Sequence, residues 1–174
     1  MRYVAFLGSI NVGGNRLKMV DLRDAIEHEG FEDIETVVAS GNLLFTHDER
    51  PSDGIAEKMA FILHDRFGIR SFAAIRNRAE LAAAIAENPF GDDGDPKKVH
   101  TLFASERYDP EQFAAFAADY PGPERVAAGT RAYHVDFVDG VGVSRLATLV
   151  DQRFDFRATA RNMNSMRRIL EKMD

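Results

Sequence analysis

Glycines and small polar side chains occur together in two short segments of the amino-terminal half. The first is residues 11–15 (NVGGN), which Arg16 and Lys18 follow closely, and the second is residues 40–42 (SGN). Glycines allow backbone N–H groups to point into a shared hollow, where a negative group is held. We therefore predict a site for a phosphate, a carboxylate or a nucleotide. Its candidate residues are Asn11, Gly13, Gly14, Arg16, Lys18, Ser40 and Asn42.

The same residues have a simpler interpretation as ordinary turn residues. No Walker-type Gly-Lys-Ser/Thr sequence and no G-x-G-x-x-G motif accompanies them, so the glycines need only satisfy a tight turn. A second polar cluster, Arg161 and Asn162, lies near the end of the chain, in a segment predicted to be helical with Thr159 as its N-cap. These side chains would face a ligand, or solvent if the methionines alone dock the helix.

Hydrophobic periodicity predicts the elements that position the first two segments. The apolar run at residues 3–7 is typical of a strand with both faces covered, and spaced apolar residues predict helices that end at Gly30 and Gly68. With three further strands the order becomes β-α-β-β-α-β, the split βαβ pattern of a ferredoxin-like unit. In that topology the loop after the first strand and the hairpin between the next two lie at one edge of the sheet.

The second half partly repeats this order. A strand, a helix opened by Asp109-Pro110, a hairpin and another helix follow one another, although no repeat is visible residue by residue. The predicted fold class is α/β (α+β): two ferredoxin-like βαββαβ units in a pseudo-duplication, with a C-terminal helix. The predicted domains are an N-terminal lobe with a connecting helix (1–87), a breaker-rich linker (88–96), and a C-terminal lobe with the terminal helix (97–174).

Composition excludes several classes of protein. The 174 residues include no cysteine, so a disulfide scaffold, a Cys-ligated metal and a thiol nucleophile are ruled out. The net charge is −6 and both halves are acidic, so binding of duplex nucleic acid is not expected, although residues 153–174 are locally basic. No apolar run approaches the ~20 residues of a membrane span, and we expect a cytoplasmic protein without a membrane partner.

The five histidines do not have the spacing of metal ligands, so neither a metal nor a cofactor is expected. His100 and His134 would become neighbours only if the first and third strands of the second unit adjoin. Three functions therefore stay open. The first is binding of an anionic small molecule at the edge described above. The second is a non-enzymatic interaction module or homodimer, which the two-sided apolar strand motivates. The third is an enzyme of unknown reaction.

Several motifs together resemble the bacterial domain-of-unknown-function family 1697. They are I-N-V-G-G at residues 10–14, S-G-N at 40–42, N-P-F at 88–90, G-V-G-V-S-R-L at 140–146 and R-N-M-N at 161–164. The resemblance extends over essentially the whole chain. It implies a two-lobed ferredoxin-like α/β fold, and it brings no activity, substrate or cofactor with it.

Two departures from the family pattern concern the candidate residues. Family members usually have Arg-Gly before I-N-V-G-G, where this chain has Gly8-Ser9. They usually have T-R-N-W-N-T near the end, where this chain reads A-R-N-M-N-S at residues 160–165. Any site that uses the usual arginine or tryptophan is therefore altered here.

Overall fold

A computed structural model of the protein describes residues 1–8, 16–38 and 41–174. Within these residues the chain forms eight strands, six α-helices and a short 3-10 turn at Val141–Val143. The strands are β1 (Arg2–Leu7), β2 (Glu32–Thr36), β3 (Asn42–Thr46), β4 (Ala73–Asn77), β5 (Val99–Ala104), β6 (Arg125–Ala128), β7 (Ala132–Asp136) and β8 (Ala158–Asn162). The helices are α1 (Met19–Glu27), α2 (Ser52–Phe67), α3 (Arg78–Glu87), α4 (Pro110–Asp119), α5 (Leu146–Arg153) and α6 (Met163–Lys172).

The strands form two four-stranded antiparallel sheets, with the orders β2-β3-β1-β4 and β6-β7-β5-β8. Each sheet is built by a β-α-β-β-α-β segment, and the two orders are equivalent strand by strand. The predicted fold class is thus confirmed as a mixed α/β fold, and the repeated order favours a ferredoxin-like duplication.

The chain divides into two compact units. Unit 1 comprises residues 1–81 with 169–174, and unit 2 comprises residues 82–168. The C-terminal segment belongs to unit 1, where the Arg78 guanidinium lies 2.6 Å from the Asp174 carboxylate. The domain limits drawn from the sequence, at 87, 96 and 97, stay a prediction.

Strand β1 is buried on both faces, as its unbroken apolar run predicts. Tyr3 and Ala5 join the core formed with helices α1 and α2, and neither is exposed. Val4 and Phe6 alternate with them and point to the opposite face, where both are also 0% exposed.

The hydrogen-bond registers show that the two units match residue by residue. In unit 1, Val4 of β1 pairs with Arg76 of β4, and in unit 2, Thr101 of β5 pairs with Arg161 of β8. Each of these arginines is followed by an asparagine that ends its strand, Asn77 or Asn162. The duplication therefore extends to an Arg-Asn pair at the same register, which the sequence alone did not make visible.

Both asparagines cap the helix that follows them. Asn77 Oδ1 accepts from the Glu80 N–H at 2.8 Å, and the Glu80 carboxylate accepts from the Asn77 N–H at 2.8 Å, which is a capping box. Asn162 Oδ1 accepts from the Ser165 N–H at 2.8 Å. The caps close strand–helix junctions that would otherwise leave backbone donors without a partner.

The assignment of Thr159 as a helix cap was wrong. Residues 158–162 form β8, which pairs along its length with β5, and α6 begins only after Asn162. Ala158 and Ala160 pack against the core of unit 2 from one face of the strand. Alanine and arginine favour helix locally, so only the pairing with β5 makes this segment extended. By contrast, the predicted start of α4 is confirmed, since the Asp109 carboxylate accepts from the Glu111 N–H at 2.9 Å.

We predict that Asn162→Ala lowers the free energy of unfolding by about 1 kcal/mol, because it removes the cap of α6. Chemical denaturation followed by circular dichroism measures the change. The matched control is Asn164→Ala on the exposed side of the same helix, which should leave stability unchanged or raise it slightly, since alanine is the better helix former. Equal losses in the two variants would contradict the capping role.

Candidate functional site

The end of β1 lies beside the β2–β3 hairpin. The Leu7 N–H donates to the Gly41 carbonyl at 2.8 Å, and the Gly8 N–H donates to the Phe72 carbonyl at 2.9 Å. The described residues that flank the two predicted segments therefore come together at one edge of the unit 1 sheet. Asn11, Gly13, Gly14 and Ser40 themselves lie outside the described residues.

Gly8 lies directly against the ring of Phe72. A Cβ atom built on Gly8 would overlap the Phe72 ring, which occupies the space that a side chain at this position would need. Phe72 itself is 7% exposed, so its ring cannot simply swing into solvent. Any side chain at position 8 would therefore require Phe72, in the segment before β4, to move.

A cleft of about 660 Å³ lies at the start of α1 and is lined by Arg16, Leu17, Lys18, Asp21 and Phe67. Arg16 and Lys18 are exposed, and within the described parts of the chain neither side chain makes a hydrogen bond or an ion pair. Asp21 is the acidic side chain among these lining residues. The structure thus brings together two of the predicted cations, in a cleft that also has an apolar wall.

Helix α1 begins at this cleft without a side-chain cap. Lys18 occupies the N-cap position in an extended conformation, and its side chain accepts no hydrogen bond from the first turn. Its carbonyl accepts from the N–H groups of Asp21 and Leu22, at 3.1 and 3.2 Å. The helix start adds a partial positive charge to those of Arg16 and Lys18, so the cleft favours a negative group.

The other predicted site residues have structural partners. Asn42 is 2% exposed, and its amide donates to the Val37 carbonyl at 3.3 Å, which ties the hairpin together. Arg161 belongs to β8 of unit 2, where it donates to the Thr159 hydroxyl at 2.7 Å and to the Ala160 carbonyl at 2.8 Å. Burial lowers the pKa of Arg161 to about 10. Asn162 caps α6, as described above.

The hairpin at this edge carries backbone strain. Val38 has a φ of 66°, in the left-handed region that β-branched residues rarely adopt. Gly41, three residues further along the chain, has a φ of 93°, which glycine adopts without cost. Strained non-glycine residues are concentrated at functional sites in proteins, so the strain at Val38 is consistent with a role for this edge.

The sequence analysis did not identify a series of hydrogen-bonded polar side chains in the interior of unit 2. The Asn88 amide donates to the Thr101 hydroxyl at 3.4 Å, Thr101 Oγ1 lies 2.9 Å from His134 Nδ1, and His134 Nε2 lies 3.2 Å from Glu87 Oε2. The Glu87 carboxylate also accepts from the Thr130 N–H, at 2.9 Å to each oxygen. No sequence signal joins these residues, because they are brought together by α3, β5 and β7.

The hydrogen-bond partners determine which atoms of His134 and Thr101 carry the hydrogens in this series of contacts. An ionised Glu87 only accepts, so His134 Nε2 carries the hydrogen, and Nδ1 then accepts from the Thr101 hydroxyl. A second proton on His134 would force the Thr101 hydroxyl to turn away. His134 is 0% exposed, and its burial lowers its pKa, although Glu87 acts in the opposite direction.

The two histidines considered as neighbours do not meet. Strands β5 and β7 do adjoin, but His100 pairs with Val135, whereas His134 pairs with Thr101. Because side chains alternate between faces, the offset of one residue separates the two imidazoles, and the His100 ring packs edge-on against Phe137. The described residues contain no group of three or more His, Asp or Glu side chains that would hold a metal ion.

The fold and the cleft define a mixed α/β protein of two βαββαβ units with a cationic edge. The chain belongs to the family described as "Protein of unknown function (DUF1697)", whose model matches residues 1–134. The structure of the conserved bacterial protein SP0830 from Streptococcus pneumoniae is similar, with a TM-score of 0.76 and 21% sequence identity. That similarity covers 99% of this chain and 97% of the other, and it shows a shared fold.

None of the curated proteins is similar enough in sequence to count as a match. Among the described residues, no helix has the length and apolar character that crossing a membrane would require.

We predict opposite effects of two substitutions at neighbouring valines. Val38→Asn should raise the free energy of unfolding by roughly 0.5–1 kcal/mol, because asparagine tolerates a left-handed backbone better than a β-branched residue does. The matched control Val37→Asn should lower it, since Val37 is 3% exposed and asparagine would bury a polar group. Thermal and denaturant unfolding measure both changes. A loss of stability in Val38→Asn would show that the left-handed backbone at Val38 is not strained.

We predict that unit 2 loses stability on acidification partly through His134. The unfolded chain has the ordinary histidine pKa of about 6.5, whereas burial lowers the folded value. Below about pH 6.5 the unfolded state therefore binds more protons, and the free energy of unfolding falls with pH. The expected result is a shallower fall in His134→Gln than in the wild type, measured by denaturation at several pH values.

The matched control is His64→Gln, which replaces an exposed histidine on α2. The fall of its stability with pH should follow that of the wild type, because this variant keeps the buried His134. Identical slopes for the wild type and His134→Gln would show that the buried imidazole does not contribute.

Proposed function

We propose that this protein binds an anionic small molecule, phosphate-like or nucleotide-like, at the edge of unit 1 formed by the loop after β1 and the β2–β3 hairpin. The observation that carries the proposal is the cleft at the start of α1, lined by Arg16 and Lys18. Asn11, Gly13, Gly14, Ser40 and Asn42 belong to the proposed site because their segments begin or end at this edge. Arg161 and Asn162, in unit 2, stay a separate predicted polar cluster for a ligand, although both have structural partners there.

The chemistry of the cleft supports a ligand with a charged end and a less polar body. Arg16 offers a planar guanidinium that can bind two oxygens at once, and Lys18 offers a point charge. Leu17 and Phe67 line the same cleft and supply apolar surface for a ring or an acyl chain. Hydrogen bonds that involve a charged group contribute about 1.5–3 kcal/mol each, so two such contacts supply about 3–6 kcal/mol, which corresponds to binding around the millimolar range.

The observation that motivated a homodimer has another explanation. Val4 and Phe6 are fully buried within a single chain, so the second face of β1 needs no second copy to cover it. Unit 1 does present exposed apolar side chains elsewhere, Val20 on α1 and Phe61 on α2, at 60% and 67% exposure. An interaction module therefore stays the second candidate function, through the helical side of unit 1.

We further propose that the protein acts in the bacterial cytoplasm. The similarity to a conserved bacterial protein and the absence of cysteine from the sequence both support this location.

The test is calorimetric titration of the full chain with inorganic phosphate, pyrophosphate and AMP, with adenosine as the uncharged comparison. We expect saturable binding of at least one of the anions and none of adenosine alone, because the charged end supplies most of the affinity. Lys18→Ala and Arg16→Ala should each weaken that binding about tenfold, the loss that corresponds to one charged contact. Binding should also weaken as salt is raised.

Arg23→Ala is the matched control, since Arg23 is an exposed cation on α1 that does not line the cleft. It removes the same charge and should leave the affinity within about twofold, the range of long-distance screened effects. Equal weakening by Arg23→Ala and Lys18→Ala would mean that overall charge, not this cleft, attracts the anion. No binding of any of the three anions would overturn the proposal.

A further inference from the structure

Unit 2 has a cleft at the edge that corresponds to the proposed site of unit 1. In unit 1 the Leu7 N–H donates to the Gly41 carbonyl, and in unit 2 the Ala104 N–H donates to the Arg131 carbonyl at 3.0 Å. Each bond joins the end of the first strand of its unit to the hairpin between the next two. In chain order, the β5–α4 loop and the β6–β7 turn of unit 2 thus correspond to the β1–α1 and β2–β3 connections of unit 1.

The unit 2 cleft has a volume of about 470 Å³ and lies between these two connections. Glu87, Arg107, Tyr108, Thr130 and Arg131 provide its polar lining. The Tyr108 hydroxyl holds the two connections together, since it donates to the Gly129 carbonyl at 2.9 Å and accepts from the Gly129 N–H at 3.2 Å. The Tyr108 side chain therefore holds in place the two connections that border the cleft.

Hydrogen bonds fix the carboxylate of Glu87 in this cleft, and its oxygens can accept further hydrogen bonds. It accepts from the Thr130 N–H and from His134 Nε2, and its side chain is still 27% exposed. A carboxylate offers about four acceptor positions, and the contact from His134 uses only Oε2. Oε1 therefore has room for a donor from a ligand in the cleft.

Gly129 is required for this arrangement. A Cβ atom at this position would lie 2.5 Å from His134 Nε2 and 2.7 Å from Glu87 Oε2, so only glycine lets the turn approach the His134–Glu87 contact. The turn also contains Arg131, whose φ of 57° is in the left-handed region. The backbone strain seen at Val38 in the unit 1 hairpin thus has a counterpart at this edge of unit 2.

We propose that the unit 2 cleft is a second binding site, for a small phosphorylated polyol. Arg107 and Arg131 both line the cleft, and they suit the phosphate because planar guanidinium groups match phosphate oxygens. One hydroxyl of the ligand donates to Glu87 Oε1. Because the cleft has two cations beside one fixed hydrogen-bond acceptor, it should bind an anion that carries hydroxyl groups more tightly than an anion without them. The site is independent of the one proposed in unit 1.

The experiment uses the His134 ring as a local reporter in the full chain. Nuclear magnetic resonance of a histidine-labelled sample, with the signal assigned by His134→Gln, follows the ring during titration with glycerol 3-phosphate. We expect the Nε2 resonance to shift and saturate, because a donor on Glu87 weakens the bond that Glu87 accepts from His134. Inorganic phosphate should bind about tenfold more weakly, since it lacks the polyol hydroxyls, and glycerol should not bind measurably.

Four variants separate the possible outcomes. Glu87→Gln should abolish the preference for glycerol 3-phosphate over phosphate, and Arg107→Ala, at an exposed position, should weaken binding of both about tenfold. Lys97→Ala, an exposed cation of unit 2 outside the cleft, is the charge-matched control and should change nothing. Lys18→Ala should also leave the His134 shift intact, so failure of the unit 1 proposal would be seen separately.

Two results would overturn the proposal. One is an His134 resonance that stays fixed throughout the titration. The other is equal weakening by Arg107→Ala and Lys97→Ala, which would assign any binding to surface charge.

Discussion

The antiparallel pairing of each first strand with the third strand of its unit governs where chemistry can occur in this protein. Because β1 pairs with β3, and β5 with β7, the loop that leaves the first strand must lie beside the hairpin before the third. The Leu7–Gly41 and Ala104–Arg131 hydrogen bonds close the two edges in the same way. Both candidate sites follow from this one geometric constraint, applied twice.

The two units have the same strand arrangement but bury different side chains within it. At one register position of the first strand, unit 1 has Val4 and unit 2 has Thr101, and across from them on the third strand lie Leu44 and His134. Unit 1 therefore buries an apolar pair where unit 2 buries a hydrogen-bonded one. A buried polar pair is stable only when its further partners are present, and Asn88 and Glu87 provide them. The equivalent positions of Arg76 and Arg161 show that the two units keep the same register despite this difference.

Much of the fold could be predicted because local signals agreed with it. The apolar run of β1, the glycine that ends α2 in a left-handed conformation, and the cap at Asp109 each define an element without help from distant residues. The segment at residues 158–162 could not be predicted in this way, since its small and polar residues favour helix and only β5 makes them a strand. For the site, the sequence identified Arg16 and Lys18 as neighbours of a turn, but their common cleft with Phe67 depends on the end of a distant helix.

The sequence by itself determined the order of elements in unit 1, the two-sided burial of the first strand, and the acidic, cysteine-free character of the chain. Those properties depend on residue type and on spacing along one segment, which is the information that a sequence contains directly. Only the tertiary structure decided that Glu87, His134 and Thr101 form one hydrogen-bonded chain, and that Phe72 fills the space beside Gly8. Contacts between residues far apart in the chain depend on strand register and on the close packing of side chains, and neither can be read from any single segment.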